Sequence, residues 1–181
     1  MELTPAELTV LGLVIERPQH GYDLEQVIEQ RGIRQWTDIG FSSIYYLLTK
    51  LEQRGLLHVP EAPAATKSRR VFHATTEGRA VAARNALAFV AEARPVPHPL
   101  LVGIANLSLL SAQQYAQALG KRLVQIEAQI TAVQAVQAVL QAPQALLPLA
   151  AREVFSYSLS LMEAERQWLA SRVQVPGDEQ D

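Results

Sequence analysis

Three prolines in five residues, Pro95-Val96-Pro97-His98-Pro99, constrain this chain more than any other feature. Proline fixes φ near −65° and has no amide donor, so neither a helix nor a central strand runs through such a segment. It forms a stiff linker instead. The 181 residues therefore divide into two halves, each large enough for a small core. The halves differ in chemistry. Residues 1–94 carry eleven basic and eleven acidic side chains, whereas residues 95–181 carry five and seven and are rich in Ala, Gln, Leu and Val. The expected organisation is a domain over 1–94, a linker over 95–99, a second domain over 100–174 and a frayed tail over 175–181. No cysteine is present, which excludes disulfides, thiolate chemistry and cysteine metal sites. The longest apolar stretch, Leu100 to Leu110, is interrupted by Asn106 and Ser108 and is shorter than the ~20 residues a membrane span needs. It is expected to be deeply packed. The first residues, MELTPAELT, have no basic segment of the signal-peptide kind, so a cytoplasmic chain with no membrane partner is expected.

The first half is punctuated clearly. Thr4-Pro5-Ala6-Glu7 offers a capping threonine, proline at the first helical position and glutamate three residues after the cap. Leu8, Leu11 and Ile15 then recur at helical spacing until Pro18. His20-Gly21-Tyr22-Asp23 turns into a second helix with Leu24, Val27 and Ile28 on one face, closed by Gly32. A third helix starts at Ser42 or Ser43. It turns Ile44, Leu47, Leu48 and Leu51 inward and ends at Gly55. Leu57-His58-Val59 and Val71-Phe72-His73-Ala74 then alternate as strands do. Thr75-Thr76-Glu77-Gly78 opens a fourth helix running to about Ala93. The fold class is mainly α with a small β-hairpin: a winged helix-turn-helix domain, followed by a C-terminal helical dimerisation domain.

In such a domain one helix is held by two others so that its polar face enters a groove about 12 Å wide. The face of the third helix opposite its apolar stripe carries Ser42, Ser43, Tyr45, Tyr46, Thr49, Lys50 and Gln53. Lys67, Arg69 and Arg70 sit at the hairpin tip. From Lys50 to Arg84 there are seven basic and three acidic residues, a local charge of +4 in a chain of net charge −2. Double-stranded DNA is attracted by such a local patch, not by a basic average.

These residues resemble the PadR family of bacterial transcriptional regulators. The resemblance rests on Val10-Leu11-Gly12-Leu13, His20-Gly21-Tyr22-Asp23-Leu24, Ser43-Ile44-Tyr45 with Leu48, Leu51-Glu52 and Arg54-Gly55-Leu56. It continues through Arg69-Arg70-Val71-Phe72 and Thr75-Thr76-Glu77-Gly78-Arg79, and covers about residues 8–90. It implies a homodimeric, ligand-responsive repressor on an inverted-repeat operator, with dimerisation through C-terminal helices of the family's long branch. It places Ser43, Tyr45 and Lys50 near DNA, Lys67, Arg69 and Arg70 on the wing, and Tyr22 close to the backbone contact region. Two features depart from the pattern: Tyr46 stands where proline is usual, and the wing tip is long and lacks a glycine-rich run. An alternative is a winged helix used for protein contact, without a DNA role.

In the second half, Ser111-Ala112-Gln113-Gln114 offers another capping box. Leu119, Leu123, Ile126, Ile130, Val133 and Leu140 follow in steps of four and three, with Gln137 as the odd member, which makes a heptad seam. The seam serves either a helix pair within the chain or a dimer. Between Arg122 and Arg152 the only charged residue is Glu127, so this surface is expected to be covered, most simply by a second copy. The last helix, after Pro148, carries Val154, Leu161, Glu165 and Trp168 on one stripe and Phe155, Leu159, Met162 and Leu169 on another. Leu161 and Trp168 join the expected dimer contact. Tyr115, Phe155, Tyr157 and Trp168 are candidates for a pocket holding a planar apolar or phenolic effector, against plain packing.

Catalytic signatures are missing: there is no GxxxxGK[ST], GxGxxG, HExxH or GxSxG. No enzymatic activity, cofactor or resident metal is expected. His58 and His73 share a side of the hairpin, but two histidines without a third ligand make a weak metal site. His20 and Asp23 at a helix start are accounted for by capping.

Overall fold

The computed structural model describes residues 1–40, 43–60, 70–140 and 148–173. It resolves into two units, Met1–Val96 and the part from Pro97 onward. Ser42, Lys67, Arg69 and the tail 175–181 lie outside the described residues.

In the first unit, α1 (Pro5–Glu16) opens with the expected capping box. The Thr4 hydroxyl accepts from the Glu7 amide at 3.2 Å, and the Glu7 carboxylate accepts from the Thr4 amide at 2.8 Å. Pro18 stops the helix through the residue before it: Arg17 is extended, as a residue preceding proline must be. Next come α2 (Gly21–Gln30), a left-handed Gly32 and a 3₁₀ turn, Ile33–Gln35. Arg34 pins this connection. Its guanidinium pairs with Glu25 and Glu29 of α2 and donates to the Ile39 carbonyl at 3.0 Å. The third helix, α3 (Ser43–Gln53), buries Ile44, Leu47, Leu48 and Leu51. Gly55 follows with φ +70°, and the Leu56 amide reaches back to the Leu51 carbonyl at 2.9 Å, closing the helix end.

Two short strands, β1 (Leu57–His58) and β2 (His73–Ala74), pair antiparallel in the register Leu57 with Ala74 and His58 with His73. They are shorter than the alternation suggests. Phe72 has a different partner, since its amide donates to the Gln19 carbonyl at 3.1 Å, between α1 and α2. Thr75 then caps α4 (Thr76–Ala91), its hydroxyl accepting from the Gly78 amide at 2.9 Å. The core between α1, α2, α3 and α4 includes Val10, Leu11, Val14, Leu24, Ile28, Ile44, Leu48, Leu51, Leu56 and Val81, each fully buried. Each such side chain contributes about 1.5–3 kcal/mol of transfer free energy. That core holds α3 against α1 and α2 and leaves its outer face to solvent.

The second unit contains α5 (Pro99–Ala105), a 3₁₀ turn Leu107–Leu109, α6 (Ala112–Leu140) and α7 (Leu149–Val173). Ser111 and Gln114 form the expected box, at 2.8 and 3.2 Å. The eight residues between α6 and α7 span at most about 30 Å, less than the ~37 Å of a 25-residue helix. The two helices therefore pack antiparallel.

Two expectations need correction here. The heptad seam closes within the chain: Leu119, Ile126 and Ile130 are buried with Leu169, and Leu123, Leu159, Met162 and Trp168 pack around them. Val133 is half-buried, and Leu140 ends α6. Arg122 pairs with Glu165 across the same helices. The segment Leu100 to Leu110 is not deeply packed either. No residue of α5 is buried, and Leu101, Val102, Leu109 and Leu110 are exposed.

Candidate nucleic-acid interface

The outer face of α3 is where the sequence places it. Tyr45 and Tyr46 are more than half exposed, at 57% and 65%, and so is Tyr22 at the start of α2, at 56%. Thr49 is exposed, with its hydroxyl donating to the Tyr45 carbonyl at 3.0 Å, and Ser43 is half-buried. A groove gathers His20, Gly21 and Tyr22 from the start of α2, Tyr45 and Thr49 from α3, and Arg70 and Phe72 from the wing base. It joins three elements far apart in sequence into one surface of aromatic rings, hydroxyls and one guanidinium.

The glycines of two motifs have local reasons. A Cβ on Gly21 would stand 2.6 Å from Cε1 of Tyr45, so the Tyr45 ring lies against the bare backbone of α2 while its other face stays open. A Cβ on Gly78 would stand 2.1 Å from the Leu56 carbonyl oxygen, so the first turn of α4 rests directly on the chain entering β1. That same oxygen accepts the Thr75 amide at 3.0 Å.

The cations behave differently from the sequence expectation. Lys50 does not stand free on the outer face. Its ammonium lies 2.9 Å from Glu7 Oε1 on α1, and Arg54 Nη1 lies 2.9 Å from the same oxygen. Arg54 also donates to the Glu2 carbonyl at 2.8 Å. Glu7 is only 2% exposed. Burial alone pushes its carboxyl up, but the Thr4 amide, the Lys50 ammonium and the Arg54 charge outweigh that and leave it below its ordinary value. The Glu7 contact in turn raises the Lys50 ammonium. Lys50 is thus first an α1–α3 tie. Arg70 is tied as well: its Nη2 donates to both Glu52 oxygens, at 2.7 and 2.6 Å, and its guanidinium lies 5.2 Å from the Phe72 ring centre. The +4 of this stretch is therefore partly neutralised in place. Glu7 is legible in the sequence as a capping residue; its burial between two cations from residues 50 and 54 is not. Glu52 is legible as part of the Leu51-Glu52 element; its pairing with Arg70 is not.

His20 does not cap with its side chain. Its Nδ1 pairs with the Arg70 carbonyl oxygen at 3.1 Å and links α2 to the wing base. His58 and His73 face each other across the strands with ring centres 5.5 Å apart. Among the described residues, no group of three or more His, Asp or Glu is arranged to hold a metal ion, and no helix is long and apolar enough to cross a membrane.

The four aromatic candidates of the second unit do not converge within one chain. Tyr115 and Trp168 pack on the α6–α7 core, Phe155 is half-buried and Tyr157 is 68% exposed. Tyr157 and Trp168 are eleven residues apart on α7, about 16 Å along its axis. Leu161, offered as a dimer contact, is exposed and lies outside the α6–α7 core.

Residues 10–84 match the model of the transcriptional regulator PadR-like family. No curated protein matches the chain. Among solved structures, Bacillus subtilis PadR in complex with operator DNA is 20% identical with a TM-score of 0.71, over 94% of this chain and 98% of that one. The same protein in complex with p-coumaric acid gives 19% and 0.72, over 92% and 95%. The Vibrio cholerae virulence activator AphA gives 20% and 0.69, over 92% and 95%. The chain has the winged-helix fold of these PadR-like regulators.

Proposed function

We propose that this chain, with its PadR-like N-terminal unit and exposed third helix, is a homodimeric transcriptional repressor that binds an inverted-repeat operator and releases it on binding a small effector. The observation that carries the reading is the outer face of α3, where Tyr45, Tyr46 and Thr49 stand exposed on a helix locked by a closed core, beside the groove ending in Arg70. A helix so held presents hydrogen-bonding groups to base edges in the major groove. The wing, with Lys67 and Arg69, supplies backbone contact that positions without specifying.

Dimerisation is supported by the apolar surface left open in the second unit. Leu101, Val102, Leu109, Leu110, Tyr157 and Leu161 are exposed in the single chain. So many apolar side chains in 85 residues, counted from Pro97 to Asp181, suit a covered surface. A two-fold dimer then meets two half-sites about 34 Å apart, or a multiple of that. One structural neighbour was solved with p-coumaric acid, which supports a phenolic effector here. Tyr115, Phe155, Tyr157 and Trp168 are its candidate contacts, with residues from both copies where one chain brings too few together. The effector acts only by preferring one spacing of the two winged helices over the other.

The test is fluorescence anisotropy on a duplex taken upstream of the chain's own reading frame, with a scrambled duplex as control. Specific binding is expected, and Tyr45→Ala with Tyr46→Ala should weaken it roughly 5- to 150-fold, the range for losing a good base contact. A folded protein that binds neither duplex at low salt overturns the reading. Quenching of Trp168 fluorescence by phenolic acids checks the effector, and no response at millimolar concentration removes it.

A further inference from the structure

The wing-base cation that faces the groove is already engaged. Arg70 Nη2 donates to both oxygens of Glu52 on α3, and the pair is half open to water, with side-chain exposures of 56% and 28%. Arg70 also lines the groove with Tyr22, Tyr45 and Thr49, and its main-chain oxygen is held by His20. Glu52 is the only acidic residue of α3. A carboxylate on that helix is repelled by any phosphate that approaches Arg70. It also competes with the phosphate for the same guanidinium.

We propose that Glu52 sets the strength of the DNA interface: an internal anion that competes with the phosphate backbone for Arg70. The inference rests on the DNA-binding reading above and deepens it. Non-specific binding is built almost wholly from phosphate contacts, each gained by releasing counterions. An arginine that must first leave a bidentate carboxylate contributes less to that sum. On the operator, base contacts made by α3 hold the duplex in register, and Arg70 exchanges Glu52 for a phosphate there. The carboxylate thereby lowers affinity on both duplexes, by the full cost of breaking the pair on the operator and by no more than that on other DNA.

The experiment is a salt titration, from 50 to 200 mM, of binding to a scrambled duplex and to the operator. It compares the parent chain, Glu52→Gln, Arg70→Ala and the double variant. Arg70 is exposed and Glu52 half-buried at the rim of the unit, so all four proteins should fold, and circular dichroism checks this. For Glu52→Gln on scrambled DNA, the slope of log K against log salt should steepen by about 0.9, one phosphate contact. The affinity advantage over the parent then shrinks by about 3.5-fold across this fourfold salt range. The ratio of operator to scrambled affinity should hold or rise. In the Arg70→Ala background the slope should not change. An unchanged slope in Glu52→Gln, or the same gain with and without Arg70, overturns the inference and leaves the DNA reading intact. A parent chain that binds no duplex at 50 mM overturns both.

Discussion

Removing the Glu7 carboxylate should loosen α3 from α1, and the size of the effect follows from its surroundings. Glu7 is 2% exposed and holds the Thr4 amide, the Lys50 ammonium and the Arg54 guanidinium at 2.8, 2.9 and 2.9 Å. Deleting one partner of a buried pair costs about 3–5 kcal/mol because the remaining charge is stranded. Lys50 and Arg54 keep 40% and 23% of their side-chain exposure and can turn to water, so the lower end applies. Glu7→Ala should cost about 3–4 kcal/mol, including the lost capping bond. In the N-terminal unit of 96 residues that lowers Tm by roughly 12–30 °C. Glu7→Gln keeps the shape and the Thr4 contact and should cost about 1 kcal/mol. The two variants also separate by pH. The folded carboxyl lies below its ordinary value of 4.5, so the unfolded chain binds the proton more readily. Stability from this group is therefore complete above the unfolded value and is lost as pH falls through the lower, folded value. Urea denaturation followed by circular dichroism between pH 3 and 7 should show the parent losing more stability below pH 5 than Glu7→Gln does. A Glu7→Ala protein within ~2 °C of the parent, or identical acid limbs for the parent and Glu7→Gln, would refute the network.

Four further outcomes are expected. Gly78→Ala drives a methyl group to 2.1 Å from the Leu56 carbonyl oxygen, which is backbone and cannot step aside, so the N-terminal unit should lose several kcal/mol in chemical denaturation. Gly21→Ala meets only the Tyr45 ring, so it should leave Tm within a few degrees while weakening operator binding by displacing that ring. Changing Lys67 and Arg69 together to alanine should reduce the salt slope of DNA binding by about 1.8, two phosphate contacts, and affect operator and scrambled DNA alike. Leu101→Glu with Leu161→Glu places charges on exposed apolar surface, so sedimentation should show a shift toward monomer with helix content retained.

Some of this structure was legible because it is local. The capping boxes at Thr4 and Ser111, the helix stop before Pro18 and the left-handed Gly32 and Gly55 all follow from residues within a few positions of each other. The four-helix order with a hairpin, and the outer face of α3 carrying Tyr45, Tyr46 and Thr49, follow from periodicity in the same way. The seam of α6 was legible as a seam, because a 3.5-residue repeat marks a helix that must be covered. Its cover was not, because a repeat is the same whether the partner is α7 or a second copy. Eight residues of connecting chain made α7 the nearest apolar stripe, and Leu169 took the place. The sequence by itself determined the elements, their ends and the face of α3 that stays polar, since those depend on backbone sterics and on which side chains avoid water. Only the tertiary structure decided what the charges do. Glu7 meets Lys50 and Arg54 from more than forty positions away, and Glu52 meets Arg70 from eighteen. A charge count adds such residues as though they were free, whereas Coulomb attraction depends on distances that only the closed core sets.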